Sequence, residues 1–199
     1  MKPVKRNIWD DHYALRARKE HWLARSVYKL EEIDRKHSLI RPRDRILDLG
    51  CYPGSWSQYC LKKVGPKGRV VGMDLKEPER VSAPNFTFLK ADILNLEIEW
   101  LIREIGPRDA VLSDLAPQTS GIGVTDAARS LHLAEGTLRI ALAVLRRGGN
   151  FLCKVFEGED LQTFRQEVLR NFDQGRTLRP AAVRKASREV YLIGLGFKR

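Results

Sequence analysis

The sequence predicts an α/β fold, a mostly parallel seven-stranded sheet covered by helices on both faces, and three observations lead to it. Short apolar runs alternate with amphipathic stretches through the middle of the 199-residue chain. Glycine- and proline-containing turns separate many of them. The composition, 43% hydrophobic and 31% charged, supplies the core of one domain, and the length leaves little room for two, so 1–199 is expected to fold as a single unit.

Taken in order, Arg45 to Leu49 predicts the first strand, which leads through Gly50-Cys51-Tyr52-Pro53-Gly54 into a helix over 55–64. Pro66-Lys67-Gly68 turns the chain into a second strand, Arg69 to Asp74, and Phe86 to Lys90 predicts a third. A helix over 96–105 ends at Gly106-Pro107, and Asp109 to Ser113 follows as the fourth strand. Between Asp126 and Arg147, the residues Leu131, Ala134, Leu138, Ala141, Leu142 and Leu145 recur at three- and four-residue intervals, the spacing of one helical face. Gly148-Gly149 is expected to cap that helix. Phe151 to Phe156 predicts a fifth strand, then a helix over 159–171, with two closing strands near Thr177 and from Val190 to Gly194. Strands separated by helices imply right-handed βαβ crossovers.

The net charge of +11 is unevenly placed. Residues 1–29 carry 8 Lys/Arg against 3 Asp/Glu, residues 30–175 carry 21 against 21, and residues 176–199 carry 7 against 1. Two basic ends around a balanced middle fit a phosphate-rich partner. No apolar run approaches the roughly 18 residues of a membrane span, and the first thirty residues lack the apolar stretch of a secretory signal. A cytoplasmic protein without a membrane partner is expected. Cys51, Cys60 and Cys153 form no CxxC pair and the four histidines show no ligand spacing, so neither a disulfide framework nor a metal is expected.

In open α/β sheets, ligands bind beyond the carboxyl ends of the strands. The first strand there runs into a glycine turn at a helix N-terminus, where the backbone can approach a ligand. Its glycines, Gly50 and Gly54, do not make the GxGxxG of a dinucleotide site. Asp74 ends the second strand, Asp92 follows the third and Asp114 follows the fourth. One such Asp commonly caps a turn. Three in register beside a glycine turn suit a ligand bearing ribose hydroxyls, an adenine amino group and an ammonium or sulfonium, which points to S-adenosylmethionine.

Asp48-Leu49-Gly50 with Pro53-Gly54 and Trp56-Ser57-Gln58, then Leu112-Ser113-Asp114-Leu115-Ala116-Pro117, Lys154-Val155-Phe156-Glu157-Gly158 and Ser187-Arg188-Glu189-Val190-Tyr191, resemble the FtsJ-type (RrmJ-like, RlmE-like) family of ribosomal RNA 2'-O-ribose methyltransferases. The resemblance runs from about Arg25 to Leu195 with the motifs in matching order. It implies a Rossmann-like class I S-adenosylmethionine-dependent methyltransferase fold, and for bacterial members a uridine of 23S ribosomal RNA in the large ribosomal subunit as substrate. It also implies cofactor contacts from Gly54, Trp56, Asp74, Asp92 and Asp114, and a catalytic tetrad of Lys29, Asp114, Lys154 and Glu189. The chain departs from the family turn in carrying Cys51-Tyr52 where small residues are usual and Ser55 where glycine is usual.

Lys154 lies in an otherwise apolar strand, where desolvation and a neighbouring cation would favour a proton-accepting form, so it is assigned as general base toward the ribose 2'-hydroxyl. Asp114 would orient it, with Lys29 and Glu189 positioning the ribose. The segment 1–29 mixes Trp9, Tyr13, Trp22 and Tyr28 with Lys2, Lys5, Arg6, Arg16, Arg18, Lys19 and Arg25, which suits an RNA-binding arm; the same aromatics also suit a helix covering the core. A monomer is expected. A methyltransferase for transfer RNA or a messenger cap, one for a small molecule, and a non-catalytic ribosome-assembly factor remain as alternatives.

Overall fold

The computed structural model describes residues 8–199, with side chains from His12 onward. Lys2, Lys5 and Arg6 of the predicted arm, and the side chain of Trp9, lie outside the described residues. In chain order the elements are α1 (Ile8–Lys19), α2 (Val27–His37), β1 (Arg45–Leu49), α3 (Ser55–Val64), β2 (Arg69–Asp74), β3 (Phe86–Lys90), α4 (Ile98–Ile105), β4 (Arg108–Ser113), α5 (Gly123–Val144), β5 (Leu145–Phe156), α6 (Leu161–Asn171), β6 (Phe172–Leu178) and β7 (Glu189–Phe197). The strands form one sheet in the order β3-β2-β1-β4-β5-β7-β6, with the β5–β7 and β6–β7 pairs antiparallel and the other pairs parallel.

Central strands read as continuous apolar runs because both of their faces are covered. Leu47, Leu49, Val111, Phe151 and Cys153 pack with Leu101, Leu138, Ala141, Phe164 and Val168 from α4, α5 and α6 on one face. Ile46, Ala110, Leu112, Leu152 and Tyr191 pack with Leu30, Ile33, Trp56 and Cys60 from α2 and α3 on the other. Each fully buried aliphatic side chain contributes about 1.5–3 kcal/mol by leaving water. The three cysteines are buried and free, no helix of the described residues is long and apolar enough to cross a membrane, and among those residues no cluster could hold a metal ion.

One predicted boundary is corrected. The helix of the apolar stripe ends at Val144, so Gly148-Gly149 do not cap it. Strand β5 has already begun at Leu145, which pairs with Arg108, while Asn150 pairs with Ala110. Four residues, 146–149, therefore bulge opposite the single Asp109, and Gly148 at φ 78° makes that excursion possible.

Candidate active site

The helix after β1 lies on one face of the sheet and the helix after β4 on the other, which opens a crevice at the carboxyl ends of these neighbouring strands. At the end of β1 the chain turns through Gly50 at φ 75°, whose N–H donates to the Met73 carbonyl at 2.8 Å, and Gly54 at φ 116°. A Cβ on Gly54 would overlap Val81 Cγ2 and stand 2.9 Å from Leu23 Cδ1. The chain's own side chains therefore require glycine there, where the sequence suggested close approach of a ligand. Helix α3 starts at the next residue, and the first-turn N–H groups of Ser55, Trp56 and Ser57 have no acceptor within the helix. They leave partial positive charge beside the turn.

Carboxylates surround it. Asp48, 1% exposed, accepts a hydrogen bond from Ser57 Oγ at 2.6 Å. Burial, with Asp114 and Asp74 adding repulsion against the Ser57 bond, pushes its carboxyl up to about 7. The folded protein thus keeps a proton on Asp48 that the unfolded chain has lost, so this group lowers stability as pH rises from about 4 to about 7 and then levels off. Asp48→Asn is expected to remove that decline, with a gain approaching about 4 kcal/mol at pH 8 relative to pH 4. Urea unfolding of both proteins across this range checks it, and parallel pH profiles would refute it.

The other predicted cofactor residues are placed as follows. Asp74 accepts from the backbone N–H of Tyr52 and of Lys76, both at 3.0 Å. Asp92 accepts from Leu94 N–H at 3.0 Å and Asn95 Nδ2 at 2.8 Å. Both thus close turns at strand ends, and a carboxylate has about four acceptor positions, so each retains capacity for a ligand. Trp56 is 3% exposed, its indole N–H donates to the Ser26 carbonyl at 3.0 Å, and its ring lies 6.1 Å from that of Tyr191. Its side chain is a core element. Only its main-chain N–H belongs to the helix terminus. An acceptor-rich rim around free helix N–H groups fits a ligand carrying hydroxyl, amino and cationic groups together with a carboxylate.

The four predicted catalytic residues converge. Lys154 is 7% exposed, and its Nζ lies 2.5 Å from the Asp114 carbonyl oxygen and 3.0 Å from Asp114 Oδ1. The strand around it is apolar, as the sequence suggested, yet the ammonium end sits on two oxygens. Lys29 Nζ, from the first turn of α2, is 2.5 Å from Glu189 Oε1, and both side chains are only 12–13% exposed. Tyr191 joins the two pairs. Its hydroxyl donates to Asp114 Oδ1 at 2.6 Å, and Lys29 lies 5.7 Å from its ring centroid. Burial raises the Asp114 carboxyl, but Lys154 and Lys29 outweigh it and hold it below the ordinary carboxylate range. Burial, then Asp114, pushes the Tyr191 phenol well up, so it stays a proton donor.

Tyr191 was quoted from the sequence only as part of a motif. Strand alternation places it on the same face as Glu189, two residues earlier, and antiparallel pairing sets it opposite Lys154 and sets Glu189 opposite Phe156. Period-two spacing in the closing strand was the signal that could have found it.

The described aromatics of the arm pack inward. Tyr28 is 3% exposed and donates to Glu20, and the rings of Tyr13 and Trp22 lie 5.4 Å from Tyr28 and 6.3 Å from Tyr59 respectively. Beside Lys29 and Glu189, a cavity of about 440 Å³ is lined by Arg25, Ser26, Ala182, Arg184 and Ser187. Both basic ends of the chain contribute to it.

A family described as FtsJ-like methyltransferase matches residues 22–197. The Ribosomal RNA large subunit methyltransferase E of Desulfosudis oleivorans is 46% identical over 196 residues, covering 98% of this chain and 95% of that protein. The protein of the same name from Bdellovibrio bacteriovorus is 44% identical over 191 residues, 94% of this chain and 97% of its own. A crystal structure from Plasmodium falciparum, described as a ribosomal RNA methyltransferase, matches with a TM-score of 0.77 at 26% identity, over 88% of this chain and 98% of that one.

Proposed function

This chain belongs to the FtsJ-like methyltransferase family, and from that membership we propose that it transfers a methyl group from S-adenosylmethionine to a ribose 2'-hydroxyl of large-subunit ribosomal RNA, a uridine of 23S RNA, acting as a monomer in the cytoplasm. The observation that supports the acceptor most is the meeting of Lys29 with Glu189 at the edge of a cavity built from both basic ends of the chain. Cationic groups there suit RNA phosphates, and the buried Lys154–Asp114 pair lies across Tyr191 from it.

When bound, S-adenosylmethionine supplies an electrophilic methyl on a sulfonium. Gly54 with the first turn of α3, which includes the Trp56 N–H, and the carboxylates of Asp74, Asp92 and Asp114 would hold it. Lys154, as the neutral amine left once its ammonium proton has passed to solvent, accepts the 2'-hydroxyl proton at Nζ, and Asp114 holds that amine by its carbonyl and carboxylate oxygens. The Tyr191 hydroxyl, bonded to Oδ1, keeps the Asp114 carboxylate from swinging away. Lys29 and Glu189 fix the ribose from the cavity side. Alignment of the two reactants can supply about 7–11 kcal/mol of the barrier reduction.

Treating unmodified large-subunit RNA with the protein and S-adenosylmethionine, then mapping 2'-O-methyl groups by resistance to alkaline cleavage, is expected to show one new methylated uridine. Methyl groups found only on bases, or only on transfer RNA added in competition, would overturn this acceptor.

A further inference from the structure

The amino ends of the strands lie at the opposite edge of the sheet from the acceptor site. There, three adjacent parallel strands each begin with arginine: Arg69 on β2, Arg45 on β1 and Arg108 on β4. Arg45 and Arg69 are direct register partners, an arrangement of like charges that disfavours pairing. All three line a cavity of about 490 Å³ together with Lys67, Asn85 and Glu104.

What sets this cluster apart is that no carboxylate pairs directly with its guanidinium groups; Asp109, whose charge favours the Arg108 cation, is itself paired with Arg146. Arg108 is 2% exposed, yet its Nη1 is buried with no hydrogen-bond acceptor, and Arg45 Nε is in the same position. Among the described residues none of the three arginines lies within 4.0 Å of a carboxylate oxygen, Glu104 included. Their acceptors are main-chain carbonyls at the end of α4: Ile105 O for Arg45 Nη2 at 3.2 Å and Gly106 O for Arg108 Nε at 3.3 Å. A helix C-terminus offers about half a negative charge, too little to balance three guanidinium groups. Burial, and next the charge of Arg45, outweigh the opposing charge of Asp109 and hold the Arg108 guanidinium down to about 10, below its usual range. An unpaired buried cation is costly, and an oxyanion with several acceptor oxygens would satisfy the orphaned N–H groups at once.

We propose that this cavity is a phosphate-binding site, distinct from the methyl-transfer site and formed by Arg45, Arg69 and Arg108. Guanidinium forks match phosphate oxygens geometrically, and the volume accommodates a phosphoryl group that carries a sugar. Two sources share that chemistry: a backbone phosphate of the RNA substrate and free phosphate. The first rests on the proposed RNA reading; the second does not.

The test uses the full chain, Arg69→Gln at the exposed member and Arg108→Met at the buried one. Orthophosphate is titrated against chloride at constant ionic strength, with thermal unfolding as the readout. The wild type is expected to show a saturable rise in Tm, and Arg69→Gln to need at least about tenfold more phosphate for half the effect, a loss of one contact worth about 1.4 kcal/mol. Arg108→Met should start from a higher Tm without phosphate, because a buried unpaired charge is gone, and lose the rise. In the second arm, binding to large-subunit RNA is measured against salt. A slope reduced by about one in Arg69→Gln assigns the site to an RNA phosphate, and an unchanged slope with retained orthophosphate saturation assigns it to free phosphate. Both variants matching the wild type in both arms would overturn the proposal. Methylation activity retained by Arg69→Gln would show that such a result does not bear on the catalytic reading.

Discussion

Lys154→Ala is expected to lower the rate of methyl transfer by about 10²–10⁴-fold, the usual contribution of a positioned general base, while leaving affinity for S-adenosylmethionine nearly unchanged. The separation follows from geometry. Lys154 Nζ is bound to Asp114 at the end of β4, a residue shared with the cofactor set, whereas the other groups assigned to the cofactor lie at the ends of β2 and β3 and at the start of α3. Loss of the amine also leaves the Asp114 carbonyl and carboxylate without their donor, so a modest loss of stability accompanies it. Lys154→Arg distinguishes the two roles. Arginine restores the positive charge beside Asp114 but holds its proton far too tightly to act as a base, so stability should return and turnover should not. Single-turnover methyl incorporation, calorimetric titration with the cofactor and urea unfolding together check this. Lys154→Arg transferring methyl groups at a near-native rate would remove Lys154 from the proton-accepting role.

Asp114→Ala is expected to have the largest combined effect, abolishing transfer and costing about 3–5 kcal/mol of stability. Asp114 is linked to three other members of the site: it accepts from Tyr191, pairs with Lys154 and feels the charge of Lys29. Truncating it leaves Lys154, 7% exposed, with only a carbonyl oxygen for its charge, and a buried phenol without an acceptor. Asp114→Asn keeps the shape and an acceptor oxygen for Tyr191, so its stability should lie between that of Asp114→Ala and the wild type. The pH dependence has a defined sign. Because the folded-state carboxyl sits below its ordinary value of 3.8, its stabilisation is fully present above that value and is lost as pH falls further. Asp114→Ala should lack that acid-limb loss. Unfolding midpoints within about 0.5 kcal/mol of the wild type, as for an ordinary surface change, would show that the cluster is not coupled in this way.

The elements themselves were legible because their signals are local. Strands β1, β2 and β3 and helix α3 begin and end where the apolar runs and turn residues place them. The helix of the apolar stripe was drawn too long, since Leu145 continues its period and only the pairing of β5 with β4 turns that residue into the start of a strand. Asp74, Asp92 and Asp114 were found by counting to strand ends. That Asp74 and Asp92 also close turns, and that the Trp56 indole belongs to the core, depends on partners such as Tyr52, Asn95 and Ser26 that no spacing rule indicates.

Charge shows the division most clearly. The linear count located the surplus at residues 1–29 and 176–199 and left 30–175 balanced at 21 against 21. Within that balanced stretch Arg45, Arg69 and Arg108 are separated in sequence by at least a whole element, and only parallel pairing of β2, β1 and β4 sets them side by side. The sequence by itself determined the order of elements, the glycine turn, the residues proposed for methyl transfer and the two basic ends. The tertiary structure decided which of them touch: Tyr191 between Lys154 and Lys29, Asp48 buried where its carboxyl is pushed up, and three arginines in one cavity with no carboxylate paired to them. The reason is that propensity and period act over a few residues of one segment. Coulomb energy and desolvation depend on distances between segments, and folding alone sets those distances.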